Sequence, residues 1–258
     1  MSAYTRDEMM TVAAARLLRD GDVCFVGIGL PSAACNLARL GHAPGLVLIY
    51  ESGTIGTRPT VLPLSIGDGE LAETAACVVP LPEIFSDYLQ AGRIDVGFLG
   101  AAQIDRLGNL NSTVIGSYDR PRTRLPGAGG ATEIAAHAKR VFIVMKATPR
   151  SFVPALDFRT SGGHFPGRAE SGARGGGPAA VVTDVGVLKP LPGSKELALS
   201  VLYPGIPVEE ARAAVGWPLA VAAETGTIEA PTASELAALR ALEARTEAAH
   251  RQPVRLPV

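Results

Sequence analysis

The sequence predicts an α/β fold: an open, mainly parallel sheet flanked by helices, formed as a single domain over residues 1–258. Three observations carry this. Short continuous apolar runs, of the kind expected for strands buried on both faces, alternate with helical patterns. Glycines and small residues follow those runs where a strand must turn into a helix. Apolar residues make up 47% of the chain and aromatic residues only 5%, which suits a sheet covered by Ala- and Val-rich helices rather than a disordered or fibrous chain.

Thr5 to Arg19 sets Met9, Val12, Ala13 and Leu17 near the 3.6-residue period, so it reads as an amphipathic helix ended at Gly21. A strand over Asp22–Val26 follows, and Gly27-Ile28-Gly29-Leu30-Pro31-Ser32 turns it into a helix over Ala33–Arg39 that stops at Gly41. Leu46 to Tyr50 is a second buried strand, ended by Glu51. Cys77–Val79 reads as a short strand, Leu81–Gln90 as a helix, and Asp95–Gly100 as a buried strand that leads into Ala101 and Gln103. A glycine cluster at Gly127 opens a helix that closes over Ala135–Lys139, and strands follow at Arg140–Met145 and Ala180–Asp184. Residues 161–178 are too glycine-rich to form an element and read as a mobile surface loop. Helices are expected at Val208–Val215, after Pro207, and in a tail near 233–250 that aligns Leu236, Leu239 and Leu242 on one side, a candidate contact for a partner.

Charge excludes some functions. With 24 Lys and Arg against 25 Asp and Glu, no overall field gathers nucleic acid or an anionic membrane. The start, Met1-Ser2-Ala3-Tyr4-Thr5-Arg6, lacks a leader pattern, and no apolar run reaches the ~18 residues of a membrane span, which leads us to expect a cytoplasmic protein. Cys24, Cys35 and Cys77 are far apart and odd in number, as expected of buried small hydrophobes rather than a disulfide framework. His42, His137, His164 and His250 lack metal-ligand spacing and read as surface or capping residues.

Glu51 is the foremost candidate for chemistry. It ends a buried strand and is followed at once by Ser52-Gly53-Thr54-Ile55-Gly56, at the edge of an open sheet where ligands bind, and a carboxylate so placed can act as a nucleophile. The plain alternative is a solvent-facing acid in a turn. Gly127-Ala128-Gly129-Gly130, just before a helix, offers bare amides to an anion or a developing oxyanion, against the alternative of a tight turn. Gly100, Ala101 and Gln103 follow a buried strand, where small residues admit a substrate and Gln103 can donate a hydrogen bond; Asp105 and Asn109 read as turn formers. Gly27 and Gly29, with Glu51 at 22 residues beyond Gly29, imitate a dinucleotide fingerprint, but Ser32 stands where a third glycine belongs and the Gly127–Gly130 cluster is left without a role.

In their order along the chain, Tyr50-Glu51-Ser52-Gly53 with Gly56, Val96 to Asp105 with Gly108 to Asn111, Gly127 to Ala131, Val181 to Val187, and Tyr203 to Ile206 resemble the B (beta) subunit of family I CoA-transferases of the glutaconate CoA-transferase type. The resemblance spans about residues 5 to 230. It implies a catalytic glutamate at Glu51 and an oxyanion- and CoA-binding loop over Gly127, Gly129 and Gly130. Gly29, Ser52, Gly53, Gly100, Ala101 and Gln103 are the substrate-pocket candidates. It further implies an obligate A (alpha) subunit, an active site at the subunit junction, and acyl-CoA and a carboxylic acid as substrates, with no metal or permanently bound cofactor. Glu-Ser-Gly in place of Glu-Asn-Gly favours the glutaconate-like branch, and the glycine loop around Gly172–Gly177 is longer than the family pattern. Relatives of this fold that hydrolyse or decarboxylate CoA thioesters replace the glutamate, so its retention favours transfer over those alternatives. The readings from other classes are a scaffold subunit without catalysis and a dinucleotide-binding protein.

Overall fold

In the computed structural model, which describes residues 4–251, the strands are β1 (Val23–Phe25), β2 (Val47–Ile49), β3 (Thr54–Ile55), β4 (Cys77–Val78), β5 (Val96–Leu99), β6 (Gln103–Ile104), β7 (Leu110–Asn111), β8 (Val114–Gly116), β9 (Pro121–Arg124), β10 (Arg140–Val144), β11 (Pro178–Val182), β12 (Gly186–Pro190), β13 (Leu197–Leu202) and β14 (Val221–Thr227). The helices are α1 (Arg6–Arg16), α2 (Leu30–Leu40), α3 (Gly69–Glu73), α4 (Leu81–Glu83, continued by a π-helical stretch Ile84–Gln90), α5 (Ala131–His137), α6 (Val208–Ala213) and α7 (Ala233–His250). Met1–Ala3, part of the start read for a leader pattern, lie outside the described residues.

Ten strands form one sheet in the order β14-β13-β12-β11-β10-β5-β1-β2-β3-β4. Its centre, from β2 through β1, β5 and β10 to β11, is parallel. Antiparallel pairings extend it on both sides, with β3 and β4 beyond β2 and a meander of β12 and β13 beyond β11. Here the sequence reading fell short. Strand β3 is only two residues long and β12 ends in Lys189-Pro190, too short an apolar signal to read, whereas the apolar Leu197–Leu202 of β13 went unread.

Alternation along the central strands divides the core between the two faces. Cys24, Leu48, Phe98, Phe142 and Val182 pack beneath α1, α2 and α7. Phe25, Ile49, Leu99, Ile143 and Val181 face the other way, with Ile84, Leu89 and Ile134 of the π-helical stretch and α5. By the same alternation, Tyr50 points into the first layer, and the residue after it belongs to the second.

Helix α1 starts one residue after Thr5, which closes a capping box with Glu8. Pro31 sits in the first turn of α2, so that helix starts at Leu30, three residues before the predicted Ala33. In α7, Leu236, Leu239 and Leu242 are buried as the pattern indicated, but they serve this chain's own core rather than leaving an apolar side for a partner. Cys24 and Cys35 are buried, whereas Cys77 is exposed, a correction that follows from β4 being the edge strand of the sheet. The glycine-rich loop predicted to be mobile is tied down: the Arg168 guanidinium donates to the carbonyls of Gly162, Gly163, Ala135 and Gly175, and His164 Nε2 lies 2.8 Å from the Pro178 carbonyl.

Helix α7 is docked at its start by Arg16, whose Nε and Nη2 hold the Glu235 carboxylate at 2.8 and 2.7 Å. The Arg16 hydrogen bonds, helped by those from Thr232, hold the Glu235 carboxyl down at about 2. Because that value lies below the ordinary carboxylate value of 4.5, the stabilisation is present in full above pH 4.5 and drains away as the pH falls toward 2. Acid unfolding of the Glu235→Gln variant, followed by circular dichroism, is therefore expected to fall less steeply with pH over this window than that of the wild type.

Candidate active site

Glu51 lies two residues beyond the end of β2, after Tyr50, where the chain reverses. The Gly53 amide donates to the Tyr50 carbonyl at 3.0 Å and the Tyr50 amide to the Thr54 carbonyl at 3.1 Å, so Glu51 and Ser52 are the central residues of a tight turn into β3. Gly53 carries φ +107°, and a Cβ there would run into the Val79 carbonyl. Its missing side chain thus serves the close pairing with the Val79 backbone, not the substrate pocket assigned to it from sequence. On the other side, the buried Tyr50 hydroxyl lies 2.7 Å from Ser32 Oγ in α2, fixing the strand end that carries Glu51. Ser32 is therefore a structural anchor, and burial raises the Tyr50 hydroxyl far above its ordinary pKa, so it stays a neutral partner.

Alternation sends the Glu51 side chain toward α5. Gly97 in β5 allows this helix to lie close to the sheet, since a Cβ at 97 would strike Ile134 and come within 3.0 Å of Ala138 Cβ. The start of α5 then reaches the turn: a Cβ at Gly130 would lie 3.3 Å from Glu51 Oε1 and 2.8 and 3.0 Å from ring atoms of Phe85. Phe85 in turn packs against Phe25 of β1, ring centroids 5.9 Å apart. Glu51, Phe85 and Gly130 form one small cluster, brought together from three separate parts of the chain. Phe85 was missed from sequence, where its only signal was an aromatic residue in a chain with few of them.

The polar groups here are free to act. Glu51 is half-buried and meets no cation or hydrogen-bond donor among the described residues. The amides of Ala128, Gly129 and Gly130 likewise donate to no described acceptor. Gly129 has φ +48° and open space on the side where a Cβ would stand. Gly127 differs, because its amide donates to the Ser112 carbonyl and its carbonyl accepts from Ser112 Oγ, both at 2.8 Å. It anchors the loop and has no donor left for an anion, which corrects its assignment as a binding residue. In the residue after Glu51, Ser52 Oγ is buried without a hydrogen-bond partner, an arrangement that costs about 1–3 kcal/mol unless a ligand satisfies it.

The remaining candidates lie elsewhere. Gly29 and Gly100 line a cavity of about 630 Å³ over the ends of β1, β5 and β10, with Met10, Phe98 and Lys146. That cavity does not include Glu51 or Gly127–Gly130. Ala101 is half-buried against the second core layer. Gln103 is buried; it donates to Asp157 Oδ2 at 3.1 Å and accepts from Asn111 Nδ2 at 2.7 Å, so it holds a loop. Asp105 and Asn109 form turns as expected, with Asp105 Oδ1 accepting the amides of Leu107 and Asn109.

A sequence model of the family described as Coenzyme A transferase matches residues 7–213. The B-type subunit of the 3-oxoadipate CoA-transferase of Pseudomonas knackmussii is 60% identical over 255 residues, 98% of each chain. The corresponding B-type subunit of the glutaconate CoA-transferase of Acidaminococcus fermentans is 35% identical, covering 92% of this chain and 91% of that one. The crystal structure of glutaconate coenzyme A-transferase from Acidaminococcus fermentans superimposes with a TM-score of 0.87 at 34% identity, over 93% of this chain and 94% of the other.

The cluster predicts opposite packing outcomes for two neighbouring glycines. Gly130→Ala forces a methyl group against Phe85 and is expected to cost about 1–3 kcal/mol in urea unfolding, with the Phe25–Phe85 contact loosened. Gly129→Ala meets open space and costs only about 1 kcal/mol for its left-handed backbone.

Proposed function

The chain belongs to the coenzyme A transferase family, and from that premise we propose that it is the catalytic B-type subunit of a two-subunit enzyme in which Glu51 transiently carries CoA. The observation that supports this is the free Glu51 carboxylate at 3.3 Å from the Cβ position of Gly130, next to amides without acceptors. Glu51 attacks the carbonyl carbon of an acyl-CoA. The developing oxyanion accepts from the amides of Gly129 and Gly130, a contribution of about 3–4 kcal/mol for a well-placed donor. The C–S bond breaks, CoA thiolate departs, and a mixed anhydride of Glu51 remains. Thiolate then attacks the glutamyl carbonyl and expels the donor acid as its carboxylate, leaving Glu51 as a CoA thioester. An acceptor carboxylate enters by the reverse sequence and leaves as the new acyl-CoA, and Glu51 is regenerated with no net proton uptake.

The open face at Gly129 is where an A-type subunit closes the site, so the isolated chain is inactive on this reading. For the acceptor we propose a 3-oxo dicarboxylic acid of the 3-oxoadipate kind, because the relative named for that acid shares 60% of its residues with this chain and the relative named for glutaconate 35%. The glutaconate type indicated by Glu-Ser-Gly stands at the level of the family and does not fix the acid, since three residues constrain a pocket less than a whole chain does. CoA serves as substrate, and the cytoplasmic placement remains part of this proposal. Among the described residues, no helix is long and apolar enough to cross a membrane.

The test is co-expression with an A-type subunit, incubation with acyl-CoA and trapping by hydroxylamine or borohydride. Peptide mass analysis is expected to place the adduct on Glu51, and Glu51→Gln to lower transfer by more than about 10³-fold while leaving the unfolding midpoint nearly unchanged, since Glu51 has no partner to lose. Undiminished transfer by Glu51→Gln would make the chain a scaffold, and release of free CoA without an acceptor acid would make it a hydrolase. Comparison of kcat/KM for 3-oxoadipate and glutaconate decides the acid.

A further inference from the structure

Strand β9 presents a problem that the fold does not answer. All four of its residues, Pro121–Arg124, are exposed, as are Ser117 to Arg120 before it. It pairs only with β8, in a ribbon outside the main sheet. Such a strand contributes little burial, and a two-stranded ribbon is marginal on its own.

The ribbon is nevertheless built firmly. Tyr118 stacks on Phe158 with centroids 5.3 Å apart, the Arg124 guanidinium lies 4.9 Å over the Tyr118 ring, and the Gly116 amide donates to Asp157 Oδ2 at 2.9 Å. Its hydrogen-bond ladder also runs into the glycine loop. The Leu125 amide donates to the Thr113 carbonyl at 3.0 Å and the Gly127 amide to the Ser112 carbonyl at 2.8 Å, so the ribbon and the loop that ends at Gly130 move as one piece.

Two of its arginines carry charge without partners among the described residues. Arg120, Arg122 and Arg124 stand within five residues, against Asp119 alone, in a chain whose net charge is −1. Arg120 and Arg122 form no ion pair or hydrogen bond with any described residue. Guanidinium groups held in this way suit phosphate oxygens, which they bind through paired, charge-assisted hydrogen bonds. From Gly127 back to Arg122 is five residues of extended chain, a reach of about 17 Å. The pantetheine arm of CoA separates its sulfur from its phosphates by a comparable length.

We infer that the β8–β9 ribbon is the phosphate handle for CoA: Arg120 and Arg122 engage the phosphates at the nucleotide end while the thioester lies at Gly129 and Glu51. This rests on the CoA-transferase reading above. It also gives the ribbon's link to the glycine loop a purpose, since binding at the remote end then orients the loop at the reacting end.

The experiment uses titration calorimetry to measure CoA binding to the complex of this chain with an A-type subunit, for the wild type and for Arg120→Ala/Arg122→Ala, from low salt to about 1 M, where the screening length is about 3 Å. The double variant is expected to bind CoA about tenfold or more weakly at low salt, and the two proteins to converge at high salt. Equal affinity at low salt overturns the inference. So does a loss that is independent of salt, or release of the A-type subunit in size-exclusion chromatography, which would make the ribbon a protein contact. Failure to trap an adduct on Glu51 while CoA binding still depends on the ribbon would sink the catalytic reading alone.

Discussion

Two missing side chains, at residues 97 and 130, govern how the site is assembled. Gly97 lets α5 lie against β5 closely enough for Ile134 and Ala138 to occupy the space a Cβ would need, and Gly130 lets the start of that helix touch Phe85 and approach Glu51. The helix cannot shift outward without opening the second core layer, where Ile134 and Ala135 are buried with Ile143 and Val181. The position of the glycine amides relative to the carboxylate is thus set by core packing on the far side of the same helix. Protein interiors are dense enough to transmit such a constraint.

The electrostatic setting of Glu51 contrasts with that of other partly buried acids in the chain. Asp22 is held by Arg140 at 2.6 Å, Asp95 by Lys139 at 2.8 Å and Glu235 by Arg16 at 2.7 Å. Those carboxylates are structural, and their cations lower their nucleophilicity along with their freedom to move. Glu51 has no cation beside it, a buried and unpartnered Ser52 hydroxyl next to it and free amides at hand, so its oxygen lone pairs remain available. Thr54 Oγ1 in the same turn is also buried without a partner, as are His137 Nδ1, Ser161 Oγ and the Tyr203 hydroxyl elsewhere, and each such group calls for an explanation.

The loops around the site are more ordered than their composition indicates. A run with as many glycines as 161–177 has high chain entropy when free, yet Arg168 collects four carbonyls from it and from α5. Burial lowers the Arg168 pKa. Several of these glycines are there for close approach: a Cβ at Gly163 would strike the Leu107 carbonyl and one at Gly175 the Ala138 carbonyl. The loop is therefore a packed cover over α5, which supports the helix that carries Gly130.

The central parallel strands, α1, α2, α7 and the turn residues at Asp105 and Asn109 were all legible along the chain, because they depend on periodicity and on local hydrogen bonds within a few residues. So was the place of Glu51 in a turn at the end of a buried strand, between an apolar run and glycines. The antiparallel additions β12 and β13, the reversal of the chain at Glu51 into β3, the hydrogen bonds of Gln103 to Asp157 and Asn111, and the lost donor at Gly127 were decided only in three dimensions. For Gln103, Gly53 and Gly130 the deciding partner is tens of residues away: Asp157, Val79 and Phe85. Sequence spacing carries the chemistry a residue can perform, whereas the fold determines whether its hydrogen-bonding groups are already occupied when a ligand arrives.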